Sequence, residues 1–179
     1  VQRPIQAAKI LALFFFLFFF PCRGAAFSSE DLGRAPEIRG KVWYNAGFYK
    51  SINWSALRGK VVLLFFWTMD DAHCAQAAAS LNDWYTQDRS KAFEIIGIHS
   101  AEWDFAFSQS ALFKKIESLK IKFPVIADAD PSVRMAYDVA GWPAFCLVDR
   151  KGIIRARYYG LFSYAEVKAA LDVLLEEGA

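Results

Sequence analysis

Residues 61–67 read VVLLFFW, seven apolar residues in succession, rich in β-branched and aromatic side chains. A strand that is apolar on both faces belongs in the middle of a sheet with a layer on each side. Directly after it the period changes. From Asp71 onward, Cys74, Ala77, Ala78, Leu81 and Trp84 or Tyr85 fall at helical spacing, so 71–87 is expected to be an amphipathic helix. A second buried strand, FEIIGI (93–98), follows. Strand, helix and strand in that order make a parallel β-α-β unit.

The alternation continues. Leu112, Phe113, Ile116 and Leu119 mark a second helix, and FPVIAD (123–128) a short strand with Pro124 at its start or at an edge. PSVRMAYDV (131–139) opens with Pro131 at an expected first helical position. AFCLVD (144–149), the turn RKG and IIRARYYG (153–160) form a β-hairpin. The last helix opens with a capping box, Ser163 to Glu166, and its core face is Val167, Ala170, Leu171, Leu174 and Leu175. Upstream, FSSEDLGRAPEIRG (27–40) reads as a polar lead-in and KVWYN (41–45) as a short strand. SINWSALRGK (51–60) holds a brief helical turn ending at Gly59. The order β-β-α-β-α-β-α-β-β-α is that of an α/β fold, a parallel core sheet with helices on both faces and a terminal antiparallel hairpin.

Residues 1–26 have a different character. Arg3 and Lys9 accompany ILALFFFLFFF (10–20), an unbroken apolar run of 11 residues that Pro21 ends. CRGAA then supplies small residues, so an export signal cleaved after Ala26 is expected, leaving a domain over 27–179. Such a helix spans about 16 Å, short of the roughly 30 Å hydrocarbon core. A lipid-modified Cys22 or an uncleaved anchor would instead tether the chain to a membrane, although Phe-Phe-Pro before Cys22 matches a small-residue lipobox poorly. Export implies an oxidising compartment, most simply a bacterial periplasm. The cysteines are nevertheless only Cys22, Cys74 and Cys146, too few for a disulfide-stapled fold. The net charge is +2, with no basic stripe interleaved with aromatics, so nucleic acid is not an expected partner.

In open α/β sheets the working site lies beyond the carboxyl ends of the parallel strands. Those ends here are Trp67 to Cys74 and His99 to Glu102, and they hold both histidines of the chain, His73 and His99. The stretches APEIRG, LRGKVVLLFFWT, IIGIHSAEWDF, FPVIADAD, GWPAFCLVDRKGIIR and YAEVKAALDVLL resemble, in order and spacing, the thioredoxin-like domains of the TlpA/ResA type. The resemblance is nearest to the subgroup found as the C-terminal domain of DipZ-type proteins, and it covers roughly residues 35–177. It implies a thioredoxin-like fold, a central mixed sheet flanked by helices with an N-terminal β extension. It also implies a thiol-disulfide oxidoreductase lineage; no cofactor and no metal are expected.

Family members usually read W-T-x-x-C-x-x-C after the strand. Trp67 and Thr68 match, Cys74 matches the second, resolving cysteine, and Asp71 stands where the nucleophilic first cysteine is expected. A thiolate at that helix start attacks a substrate disulfide, and the second thiol resolves the mixed disulfide. A carboxylate forms no sulfur–sulfur bond, so dithiol exchange through Asp71 and Cys74 is not expected. Asp71 is instead read as a helix N-cap, with an acid/base or metal-ligand role as the alternative. Cys74 lies on the apolar stripe and reads as a buried, inert thiol; the alternative is a monothiol that glutathionylates or forms a mixed disulfide. Asp71, Asp70, His73, Cys74 and His99 are types that bind metals, but their spacing matches no metal motif.

GWPA (141–144) resembles the cis-proline loop of thioredoxin folds, which makes Pro143 the expected cis residue. By the same resemblance, Trp67, Trp142, Pro143 and His99 are the candidate substrate-binding residues, framing a groove for an extended peptide or a partner protein. Ordinary packing is the bland alternative for Trp142, and a structural role for His99. Cys146, three residues beyond Pro143 and so about 10 Å from it, is read as core rather than as a disulfide partner of Cys74. No Pro-x-x-x-Thr-x-x-Cys pattern precedes Cys74, which argues against a peroxiredoxin site.

Overall fold

The computed structural model describes residues 31–47, 49, 52–88, 92–100, 108–160 and 164–177. The expected signal at 1–26 and Ser163 of the expected capping box lie outside these. The elements in chain order are β1 (Trp43–Tyr44), β2 (Val61–Trp67), α1 (Ala72–Asp88), β3 (Phe93–His99) and α2 (Gln109–Ser118). They continue with β4 (Val125–Ala127), α3 (Ser132–Ala136), β5 (Ala144–Val148), β6 (Ile154–Tyr159) and α4 (Tyr164–Glu176).

The strands form one mixed sheet in the order β1-β4-β3-β2-β5-β6. Strands β2, β3 and β4 run parallel, as the β-α-β reading requires. The hairpin strand β5 pairs antiparallel with β2, and β1 closes the other edge antiparallel to β4. Every residue of β2 and β3 is buried, which is why β2 reads as an unbroken apolar run and β3 is apolar apart from Glu94 and His99.

Side-chain alternation divides the core into two layers. Val61, Leu63, Phe65 and Trp67 face a layer that includes Leu81 of α1, Leu112 and Ile116 of α2, and Leu171 and Leu174 of α4. Val62, Leu64 and Phe66 face the other layer, with Leu57, Val133 and Tyr137. Helices α1 and α2 share a face because β2, β3 and β4 are added in one direction by crossovers of one hand.

Two local expectations shift. Phe113 belongs to α2 but is 51% exposed, turned from the core toward the ring of Tyr44 at 6.2 Å. Pro131 precedes α3 as its N-cap rather than occupying the first helical position. The carboxylate of buried Asp128 takes up the cap instead, accepting the N–H groups of Val133 and Arg134, each at 2.9 Å. Gly40 is required by contact. A Cβ there would lie 2.0 Å from Cδ1 of the buried Ile126.

Candidate functional site

The carboxyl ends of the parallel strands are tied together by backbone bonds. The N–H of Ser100 donates to the Trp67 carbonyl at 3.1 Å, and that of Asp128 to the His99 carbonyl at 2.9 Å. Helix α1 starts five residues past the end of β2. The cis peptide Trp142–Pro143 lies beside that end, because Ala144 pairs with Phe66 in the β2–β5 register. The turn carrying Asp71 and the proline loop therefore come together through the sheet, although the sequence separates them by about 70 residues.

Asp71 caps α1. Its Oδ1 accepts the backbone N–H of Cys74 at 2.9 Å, the bond from the third helical residue that an N-cap side chain makes. The same carboxylate lies 3.6 Å from Nδ1 of the exposed His73. Cys74 points the other way, into the layer with Ala77, Ala78 and Leu81, and none of it is exposed. Burial pushes its thiol up to about 12, a backbone group of Thr68 opposes this, and the Asp71 charge adds to it. Tyr164, at the start of α4, is part of the wall around this thiol. Its ring meets those of Phe145 and Trp84 edge-on at 5.5 and 5.7 Å. Sequence reasoning missed Tyr164, since nothing local links the first residue of the last helix to Cys74.

Two expected groove residues are corrected. Trp67 and His99 are both fully buried, so neither can touch a docked peptide. Trp67 stacks on Phe65 at 6.1 Å with the planes 4° apart, and His99 meets the indole edge-on at 5.0 Å. The cause is strand position: as the last residues of β2 and β3 they are register partners inside the sheet. Burial pushes the His99 imidazole down to about 4. The pair supports the site from beneath.

At the proline loop, Trp142 is half-buried and packs against both core layers, while Pro143 is buried. The Arg134 guanidinium lies over the Trp142 ring at 5.3 Å. The Pro143 carbonyl accepts the N–H of Gly160 at 2.8 Å. Among the described residues, the indole N–H of Trp142 has no hydrogen-bond partner.

Cys146 lies in β5 on the opposite face of the sheet from Cys74, both thiols are free, and burial pushes that of Cys146 up to about 12 as well. A bond between the two would have to pass through the sheet, a stronger objection than chain distance alone. Among the described residues no three His, Cys, Asp or Glu side chains converge as metal ligands would. His73 is exposed on the helix start and His99 is buried under Trp67, so the two histidines serve different environments.

Comparison with known proteins agrees with this architecture. The model of the AhpC/TSA family matches residues 33–157. The chain is 29% identical over 157 residues to Protein DipZ of Mycobacterium bovis, covering 87% of this chain and 23% of that protein. It is 31% identical over 103 residues to the thiol-disulfide oxidoreductase ResA of Bacillus subtilis, covering 58% of this chain and 55% of that protein. The chain thus spans about a quarter of its DipZ relatives and about half of ResA. Among solved structures, a thioredoxin-like superfamily protein superposes with a TM-score of 0.72 at 27% identity, covering 82% of this chain and 98% of that one. The chain belongs to the AhpC/TSA family, with the thioredoxin-like fold of the thiol-disulfide oxidoreductases to which it is similar.

Proposed function

We propose that this chain is an exported, periplasmic thioredoxin-fold protein that has lost the nucleophilic cysteine and holds a peptide or partner protein instead of exchanging disulfides. One observation carries the reading. The position one turn before Cys74 holds a carboxylate committed to capping α1, and Cys74 itself is fully buried with its thiol pushed up to about 12. Disulfide exchange needs an accessible thiolate at the helix start. A carboxylate cannot replace it, and a buried neutral thiol cannot approach a substrate disulfide. Residual monothiol chemistry at Cys74 finds no support in this geometry.

The docking surface narrows to Trp142 and the cis-proline loop. With the Pro143 carbonyl already bonded to Gly160, backbone pairing with an extended peptide falls to Trp142. Two measurements test the reading. Alkylation of Cys74 in the folded protein between about pH 5 and 9, with peptide mass spectrometry to separate Cys146, should proceed only on unfolding. In binding assays with extended peptides, Trp142→Ala should weaken affinity by roughly 10-fold or more, as removal of an aromatic anchor does. Rapid labelling of Cys74 in the folded state returns the protein to redox chemistry. Unchanged peptide affinity in Trp142→Ala removes the groove.

A further inference from the structure

From Trp67 to Asp88 the chain carries Asp70, Asp71, Asp83 and Asp88 and no Lys or Arg, although its net charge is +2. The proline-loop stretch 138–144 adds Asp138 and again no Lys or Arg. These two stretches meet in the fold. Ala144 pairs with Phe66, which sets Pro143 beside Trp67 at the end of β2. Met69 and Trp142 then pack against the same core layer. Asp70 and Asp71 follow Met69 directly, at most about 13 Å of chain beyond Trp67, the length of four residues of an extended peptide.

No Lys or Arg of the described fold neutralises these two carboxylates. Asp70 is exposed and makes no hydrogen bond to a described residue. Burial lowers the pKa of His99 and the Asp70 charge opposes it, so that carboxylate lies near the end of β3. Asp71 uses one oxygen for the cap, Oδ1 to the Cys74 N–H at 2.9 Å, out of about four lone-pair sites, and its side chain stays 32% exposed. The 3.6 Å from Asp71 to His73 Nδ1 is too long for a hydrogen bond. Among the described residues no Lys or Arg nitrogen lies within 4.0 Å of either carboxylate. Arg134, over the Trp142 ring, belongs to α3, whose Val133 packs in the other core layer, and its Nη1 is tied to the Val139 carbonyl at 3.2 Å.

Adjacent carboxylates repel each other, and a cation beside both relieves the repulsion. A charged donor also makes the stronger hydrogen bond to a carboxylate, while an acidic partner is turned away. We infer that the groove selects a cationic segment: an extended peptide or protein strand whose Lys or Arg meets Asp70 and Asp71 while a neighbouring residue lies against Trp142. This selection rests on the peptide-holding role proposed above, and it can fail while that role stands.

The test is a fluorescence-anisotropy titration of the full chain with terminally blocked Thr-Val heptapeptides bearing a neutral dye. Each carries one Lys, Gln or Glu, placed at every position in turn. For at least one position the Lys peptide should bind roughly 5-fold tighter than its Gln counterpart at low salt, as exposed ion pairs allow, and the Glu peptide more weakly than either. The ratio should fall toward one at about 0.5 M salt. Asp70→Asn combined with Asp71→Asn, which keeps a capping oxygen, should bring the Lys-to-Gln ratio below about 2 at an unchanged urea midpoint. Gln peptides that bind as tightly as Lys peptides at every position overturn the selection and leave the groove in place. A Lys preference that survives in the double variant overturns the assignment to Asp70 and Asp71. Absence of binding by every peptide overturns the groove and the selection together.

Discussion

Asp71→Ala separates two roles of one carboxylate. The side chain is 32% exposed and makes a single capping bond of 2.9 Å to Cys74 N–H, at the head of a 17-residue helix. Loss of such a cap costs about 1 kcal/mol, within a range of about 0.5–2. With a urea m-value of about 2 kcal/mol/M, the unfolding midpoint should fall by roughly 0.5 M. Asp71→Asn keeps a capping oxygen and should stay close to wild type, because Asn and Asp are nearly equal caps. The thiol should respond to neither substitution. Burial is the largest cause of its raised pKa and the Asp71 charge a smaller one. At a pKa of about 12 the thiolate fraction at neutral pH is about 10⁻⁵, against a few hundredths for a free cysteine near 8.5. The assay is urea unfolding followed by circular dichroism, together with alkylation of Cys74 in the native state. An Asp71→Ala protein with an unchanged midpoint refutes the cap as a stabilising bond. Fast labelling of Cys74 in Asp71→Asn shows that charge, not burial, silences the thiol.

Three further outcomes are expected. Asp71→Cys should acquire insulin-reductase activity with dithiothreitol, since the helix start and the cis-proline loop are both in place; a folded variant at background shows that the surrounding frame has also drifted. Acid should destabilise the protein through His99, which burial holds down to about 4 while the unfolded chain titrates near 6.5. The folded protein takes up this proton later than the unfolded one, so the contribution is complete above about pH 6.5 and is lost as pH falls toward about 4, about 3 kcal/mol in all. His99→Gln should flatten that part of the urea-midpoint profile, and a profile of unchanged slope refutes the assignment. Gly40→Ala should cost about 1–3 kcal/mol, because the new methyl collides with buried Ile126, and an unchanged melting temperature would mean the strand edge yields freely.

Element type and order were legible because each rests on a local pattern. Val61–Trp67 is apolar without alternation, Phe93–His99 is so apart from Glu94 and His99, and Val167, Ala170, Leu171, Leu174 and Leu175 keep a helical period; all of these residues are buried. Phe113 satisfied the helical pattern and still faces outward, because the ring of Tyr44 at the sheet edge offers it a partner there. The site was legible in part. Asp71 and Cys74 stand out as a short motif, and the cis peptide before Pro143 followed from a family resemblance. Trp67 and His99 were misplaced at the surface because a residue's nearness to a site along the chain does not say which way its side chain points.

By itself, the sequence determined that the chain is an α/β protein with a carboxylate where a thiol-exchange motif would need sulfur. Those facts depend on residue type and short-range spacing, which are fully present in one dimension. Tertiary structure alone decided three other things. It put Cys74 and Cys146 on opposite faces of the sheet, buried Trp67 and His99 beneath the site, and brought Tyr49 and Lys60 onto the buried carboxylate of Glu94. Each is a meeting of residues distant in sequence, fixed by register and crossover rather than by any local preference. The one trace such meetings left in the sequence was a glutamate inside an otherwise apolar strand, which signals a buried partner without naming it.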